Sequence, residues 1–477
     1  MRVLRWLAAL VAVCALAACG PKAAPNVFLI VIDTLRADRV GWYGDERRLT
    51  PFLDSLAGRG TVFWNAYAQT SWTSPSVATI LTSRYASQHN VIHFGSVLAP
   101  QEQTLAESLQ QRGYLTAGFS GNAGVSPRFG FAQGFNQFLV FPPEHQTADA
   151  KGRAEELNAA GLAWVERTRR EHPGIPLFVY LHYMEPHVPY NPPSAVLDRL
   201  LRTRPRPEER RQGVARAQAA IKEMWTGGLN RLTADGVTGL QDLYDAEIMS
   251  LDLQLADLFR QLREQGLLTN ALIVITADHG DEFREHGRIG HGATLYNEVT
   301  HVPLLLLTPH SYWRADVRDT VSLVDIAPTL LDYLGVAVPG TFEGRSLRGL
   351  VRRHHGLWRV LRPLQGLVAP PQDAAEPSFS ELFPIVGIPS EPARHQRAVI
   401  VGDRKLIVHA DNGEESFDLA TNPHESPATP LTGADVSTLR ARLDRFSMQL
   451  AHGRVPEQVR PLDPGTRERL RALGYAE

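Results

Sequence analysis

Residues 26–33 read NVFLIVID: an asparagine, six consecutive apolar residues and an aspartate. An unbroken apolar run of this length, rich in Val and Ile, predicts a strand covered on both faces, as in a parallel sheet packed between helices. An acid directly after the run falls at the strand's carboxyl end, the edge where open α/β sheets bind ligands. The pattern recurs along the chain. LTAGF (115–119) leads into Ser120, Gly121 and Asn122, PLFVYL (176–181) into His182, and ALIVIT (271–276) into Asp278 and His279. VPLLLL (302–307) is one further run. Helical patterns separate these runs, including TLAESLQQRGY (104–114). The clearest lies within 239–266, where Leu240, Leu243, Ile248, Leu251, Leu255, Leu258, Phe259 and Leu262 hold a 3.6-residue stripe that Gly266 ends. Strand and helix alternate, which predicts an α/β fold built on a mostly parallel sheet flanked by helices.

Asp33, His182 and the pair Asp278-His279 thus come from three separate strands and converge on one edge. Carboxylates and imidazoles together suit a divalent cation, and these donor types do not choose among Mn, Mg, Ca and Zn. The stretch SWTSPSVATILTS (71–83) crowds hydroxyl side chains around Pro75, with Val77, Ile80 and Leu81 spaced as one helix face. Ser74 is the expected N-cap and Pro75 the expected first helical residue. The N-terminus of such a helix favours an anion, and Thr73 stands just before it.

The chain has 477 residues, enough for a large domain with a smaller one attached. Its charge is nearly balanced, at −2, which argues against nucleic acid as the main partner. MRVLRWLAALVAVCALAACG (1–20) has early arginines, an apolar core and small residues before Cys19, the layout of an export signal. Leu16-Ala17-Ala18-Cys19 resembles a bacterial lipoprotein box, which makes Cys19 the expected lipidated first residue of the mature chain and 19–25 its linker. Loss of residues 1–18 leaves 47 basic against 51 acidic side chains. Cys14 leaves with the signal, so no disulfide is expected. The expected location is the cell envelope, on the periplasmic side or cell surface, with the lipid in the membrane.

Residues 194–236 read as a helical insertion, whose basic, proline-containing run RLLRTRPRPEERRQ is expected to be solvated and mobile. Residues 352–396 accumulate Pro and Gly and read as a long loop after a main domain at 26–351. The remainder, 397–477, reads as a small α+β subdomain, with an antiparallel stretch over 397–419, a turn at Asn412-Gly413 and a helix over 434–450.

These segments together resemble the sulfatase family of the alkaline-phosphatase superfamily. NVFLIVIDTLRADRVGWYG is similar to the opening metal-binding strand, and WTSPSVATILTSRY to the nucleophile segment. FVYLHYMEPHVPY is similar to the strand with its Pro-His substrate loop, and ITADHGDEFREHGRIGHGATLYNEVTHVPLLL to the second metal segment. SFDLATNPHE (416–425) and the terminal LRALGY resemble the family's C-terminal signature, and the matches run in family order from about 26 to 476. The resemblance implies Asp33, Asp278 and His279 as ligands of one divalent metal and Thr73 at the nucleophile position. It implies His187 as the substrate-loop histidine, and His291 where many sulfatases carry a lysine that contacts the transferred group; His291 or His187 is the expected catalytic proton donor to the leaving oxygen. His182 and Asn122 are further candidates to face the substrate, as is His93, while Asp252 is expected to make a structural hydrogen bond.

Three departures qualify the resemblance. Sulfatases convert a Cys or Ser at the nucleophile position to formylglycine, and Thr73 is not a substrate for that conversion. Val77 replaces the arginine that supports formylglycine, and Thr34 replaces a second aspartate. A formylglycine hydrate expels sulfate by collapsing to an aldehyde, which a threonine cannot do, whereas a threonyl phosphate is opened by a second attack at phosphorus. The expected activity is therefore metal-dependent cleavage of a phosphate ester or diester on an anionic glycan, lipid head group or similar substrate, by a hydrolase or a phosphoglycerol- or phosphoethanolamine-type transferase. A sulfuric ester hydrolase with an unmodified nucleophile, and a non-catalytic glycan- or lipid-binding lipoprotein, are the alternatives.

Overall fold

The computed structural model describes residues 23–142, 151–224, 227–309, 314–354, 376–384, 395–411, 413–426, 430–450 and 452–473. The expected signal and Cys19 lie outside them. Strand β1 (Asn26–Ile32) is buried along its length apart from Asn26, as its apolar run requires. The other strands of its sheet are β2 (Thr61–Tyr67), β3 (Leu115–Ser120), β4 (Gln137–Val140), β5 (Leu177–Tyr183), β6 (Ala271–Ala277), β7 (Leu304–Leu307) and β8 (Ala315–Ser322). They form one eight-stranded sheet in the order β8-β2-β7-β6-β1-β5-β3-β4. β7 runs antiparallel to both of its neighbours and every other pairing is parallel.

Register, more than composition, makes the site. In the central strands Val31 pairs with His182 and Ile32 with Ala277, so Asp33 and Asp278 emerge side by side at the carboxyl edge. Ser120 pairs with His182 on the other flank, which brings Asn122 to the same edge.

The helix expected after Ser74 begins earlier. Helix α1 spans Thr73–Thr82, with Trp72 as its extended N-cap and no side-chain cap. Ser74 and Pro75 are the second and third helical residues. Pro75 is tolerated because first-turn N–H groups have no intrahelical partner, and the Ser76 N–H closes the first bond onto the Trp72 carbonyl. Thr73 is thus the first residue of the helix.

The insertion is likewise more fixed than expected. Helices α2 (Ser194–Thr203) and α3 (Pro207–Lys222) pack on the long helix α4 (Ala234–Glu264). The α3–α4 contact brings backbones together: a Cβ on Gly239 would lie 2.1 Å from the Gly213 carbonyl carbon. Asp242 and Asp245 are buried on α4. Arg204 pairs with both, and Arg210 pairs with Asp242 at 3.0 Å. Two buried acids thus collect arginines of the run expected to be mobile. Asp252, also on α4, accepts the Phe52 and Leu53 N–H groups at 2.9 Å each, the structural role expected of it.

A second sheet is antiparallel, in the order β9 (Ser378–Leu382), β10 (Gln396–Val401), β11 (Arg404–His409), β12 (Glu414–Asp418). Its first strand falls inside the stretch expected to be loop, because a five-residue strand among prolines carries no readable period. Asn412 lies outside the described residues. Helix α5 (Gly433–Leu450) covers this sheet, and Phe379 stacks on Phe446 with centroids 3.8 Å apart. The chain then returns to the main domain: the Val97 N–H donates to the Gln458 carbonyl and the Arg460 N–H to that of Gly95. Helix α6 (Pro464–Ala472) ends this return.

Lys405 of β11 and Glu425 form an ion pair at 2.6 Å, both side chains fully buried. Removing one partner from a buried pair strands the other charge, at a cost of about 3–5 kcal/mol, whereas removing both costs less. Lys405→Met is therefore expected to lower stability in urea unfolding by about that amount, and Lys405→Met with Glu425→Gln by clearly less.

Candidate functional site

Asp33 leaves β1 fully buried, and a buried carboxylate must find donors. Asn122 Nδ2 donates to Asp33 Oδ2 at 2.9 Å, and His182 Nε2 lies 3.1 Å from the same oxygen. The Tyr180 hydroxyl, 2.8 Å from His182 Nδ1, holds the ring in place. Asp278 Oδ1 accepts from the backbone N–H groups of Thr34 (3.2 Å) and His279 (2.9 Å). Its second oxygen, Oδ2, is buried without a hydrogen-bond partner.

Thr73 Oγ1, at the start of α1, is 3.4 Å from each oxygen of Asp33 and 3.2 Å from His279 Nε2. His279 Nδ1 sits 2.9 Å from the Gly280 carbonyl. A carbonyl only accepts, so Nδ1 carries the hydrogen, and in the neutral ring Nε2 presents a lone pair toward the Thr73 hydroxyl. Two more imidazoles adjoin. The His291 ring lies 4.5 Å from that of His279 and 5.0 Å from that of His187, centroid to centroid. His291 Nδ1 is 3.1 Å from Asp281 Oδ1, and the Tyr190 hydroxyl donates to Asp281 Oδ2 at 2.7 Å. His187 Nδ1 donates to the Val188 carbonyl.

The charges divide unevenly. Burial, the largest influence on Asp33, acts to raise its pKa, but His187, His182 and His279 outweigh it and hold the carboxyl well below the usual range. Burial and then the adjacent Asp33 push Asp278 up. Burial drives His187 down to about 3 against the pull of Asp33. Burial acts downward on His291 too, but its hydrogen bond and charge pairing with Asp281 win and raise it.

Donor atoms of Asp33, His182 and Asp278 lie within 4.8 Å of one another. Two buried carboxylates face each other there and Asp278 Oδ2 lacks a partner, so a divalent cation would supply what the protein does not. The donor set fits such an ion and, mixing oxygen with imidazole, does not select one. The expected site residues Asp33, Thr73, Asn122, His182, Asp278 and His279 are thus brought into one cluster, with His187 and His291 beside it. His182, expected to face the substrate, lies within this donor set, and His279 is the imidazole nearest Thr73. Asp281 and Tyr190 went unread in the sequence, although Asp281 is only two residues past His279. Lys151 is a third, buried, donating to the His187 carbonyl at 2.9 Å and pairing with Glu247 at 3.0 Å.

Asp33→Ala and Asp278→Ala are each expected to abolish stoichiometric binding of a divalent ion. Asn122→Ala removes one donor to Asp33, together with the acceptor of the Gly124 N–H, and should weaken binding by roughly 10–100-fold. Metal content after dialysis, with calorimetric titration of Mn, checks both.

Comparison with known proteins gives the site its context. An arylsulfatase of Clostridium perfringens is 25% identical over 458 residues, which covers 84% of this chain and 89% of that one. A phosphonate monoester hydrolase from Silicibacter pomeroyi shares the fold with a TM-score of 0.70 at 22% identity, over 90% of this chain and 96% of the other. A protein solved in complex with its substrate D-glucosamine-2-N,6-O-disulfate shares it with a TM-score of 0.71 at 19% identity, over 90% and 98%. The family description Sulfatase matches residues 25–336, which span β1 to just beyond β8 and include Asp33, Thr73, Asp278 and His291. The chain belongs to the sulfatase family, as one of its hydrolases.

Proposed function

We propose that this protein is an exported, metal-dependent hydrolase that cleaves a phosphate or phosphonate ester through a covalent bond to Thr73. One observation carries the reading: an unmodifiable hydroxyl occupies the nucleophile position, at a helix N-terminus, 3.2 Å from His279 Nε2. A divalent ion held by Asp33, Asp278 and His182, with His279 beside them, would supply positive charge to the ester's anionic oxygens.

The residues of the chain supply the rest. His279 Nε2 accepts the Thr73 proton as Oγ1 bonds to phosphorus and the alcohol oxygen departs. His291, oriented by Asp281, donates a proton to that oxygen. Water then attacks phosphorus and gives a proton to His291, while Thr73 Oγ1 leaves and recovers its proton from His279, and the acid is released. An acceptor alcohol in place of water would make the same chemistry a transfer. The α1 N-terminus favours the anionic group throughout. The candidate substrates are anionic esters on glycans or lipid head groups, and the lipoprotein box at Cys19 supports action at the cell envelope with the lipid in the membrane.

The arylsulfatase of C. perfringens supports a second reading, cleavage of sulfate esters by the unmodified threonine. A soluble form without residues 1–19 separates them, using p-nitrophenyl sulfate, p-nitrophenyl phenylphosphonate and bis-p-nitrophenyl phosphate with each candidate metal. Faster turnover of the phosphorus esters is expected, falling at least about a thousandfold in Thr73→Ala. Sulfate turnover alone would select the second reading, and undiminished activity in Thr73→Ala would remove the nucleophile assignment. His291→Ala is expected to lose roughly 10²–10⁴-fold on alkyl esters, whose alkoxides need a proton, and much less on p-nitrophenyl esters.

A further inference from the structure

The first described residues are fastened to one edge of the main sheet. Asn270 Nδ2 donates to the Ala23 carbonyl at 2.8 Å, the Tyr114 hydroxyl to that of Pro25 at 3.0 Å, and the Leu177 N–H to Asn26 Oδ1 at 3.1 Å. These partners lie where the chain turns into β6, β3 and β5, so it enters the fold at the amino edge, opposite the edge that carries Thr73 and the candidate metal donors. Four residue steps separate Cys19 from Ala23, a reach of at most about 14 Å. Seven steps along β1 separate Asn26 from Asp33, about 23 Å at the rise of a strand.

The same edge is basic. The turns into β2, β3, β5 and β6, residues 58–60, 110–114, 169–176 and 263–270, carry the exposed Arg59, Arg112, Arg169, Arg170 and Arg263 against two acids, Glu171 and Glu264. Glu264 is already paired, with Arg260 at 2.9 Å. A cation suits the last turn of a helix, which accounts for Arg169, Arg170 and Arg263 one at a time. It does not account for like charges held together: burial and then the charge of Arg263 lower the pKa of Arg59. Ile175, in the turn into β5, leaves an aliphatic side chain 42% exposed on this edge.

We infer that this amino edge is the face by which the protein lies on the anionic bilayer that holds its N-terminal lipid, with Thr73 and the candidate metal donors turned away from that bilayer. The reach from Cys19 is of the order of the screening length, about 8 Å at physiological ionic strength, so a lipid there brings the arginines into the field of anionic head groups. Tether and charge select the face together: the lipid alone leaves the protein free to tumble, and the arginines alone bind weakly and reversibly. A head group in the supporting leaflet then lies more than the length of β1 from Thr73, and the ester reaches the site from the aqueous side. The inference rests on the lipid at Cys19 in the proposed function and not on the threonine chemistry.

The test reconstitutes the full lipidated chain in vesicles of one part phosphatidylglycerol to three parts phosphatidylcholine that carry a head-group dye. With Cys14 removed and Cys19 lipidated, an introduced cysteine is the one free thiol for a donor dye. Thr269→Cys, exposed in the turn into β6, reports the amino edge, and Ser194→Cys, exposed at the start of α2 past the 187–191 loop, reports the opposite one. Strong energy transfer is expected from position 269 and weak transfer from 194. The difference should be lost in high salt, in vesicles of phosphatidylcholine alone, and when Arg112→Gln, Arg170→Gln and Arg263→Gln are combined, three exposed changes that leave the fold intact. Equal transfer from the two positions, stronger transfer from 194, or a difference that survives the triple substitution would overturn the inference. A mature chain whose mass shows no lipid on Cys19 would overturn the attachment and the inference with it. Failure of the threonine mechanism shows separately, as turnover that persists in Thr73→Ala, because the energy-transfer comparison needs no turnover.

Discussion

A fully buried carboxylate, that of Asp33, is the constraint from which the site follows. Taking a carboxylate out of water costs several kcal/mol unless hydrogen bonds and charges replace the solvent. Here the hydrogen bonds come from different strands: Asn122 past β3 and His182 within β5. The compensation therefore exists only when β1, β3 and β5 are in register. A one-residue slip of β1 against β5 would turn its side chains to the opposite face and leave the charge without donors.

That coupling explains what the sequence displays. β1, β5 and β6 are apolar runs because they are covered on both faces, and their polar ends are conspicuous because the runs stop there. Asp33, His182, Asp278 and His279 were legible for this reason. β8 was not: ADVRDTVS mixes exposed and buried positions because it is an edge strand, so no apolar run marks it. The pairing of His291 with Asp281, the support of His187 by Lys151 and the return of 455–460 onto the loop at Gly95 depend on contacts between residues with no shared period. The start of α1 was misread because Trp72, a poor capping residue, is held extended as a buried side chain, and tertiary packing set the boundary over local preference.

A second tier of buried charge orients the first. Glu247 on α4 pairs with Lys151, which donates to the His187 carbonyl, and the Asn191 N–H donates to Glu247 at 2.6 Å. Both ends of the 187–191 loop are thereby tied to one carboxylate. Within it, Tyr190 reaches Asp281, and Asp281 holds His291. Buried ion pairs contribute little net stability against well-packed apolar replacements, but each admits few geometries. Their value here is positional: the same α4 acid that anchors the loop fixes, through two hydrogen bonds, where the His187 and His291 rings meet.

The identity of residue 73 gains meaning from this setting. A β-branched residue in the first turn of a helix has few side-chain rotamers, so the Thr73 hydroxyl arrives already aimed, with the residue 1% exposed. A serine there would rotate more freely, and a cysteine would bring the chemistry of oxidation to formylglycine. Under the proposed mechanism threonine lacks acidity, and the remedy would come from His279 Nε2, 3.2 Å from the hydroxyl, and from a cation held by the carboxylate pair. Position 77, where the family resemblance places an arginine, is Val77, fully buried as part of the face that packs α1 into the core.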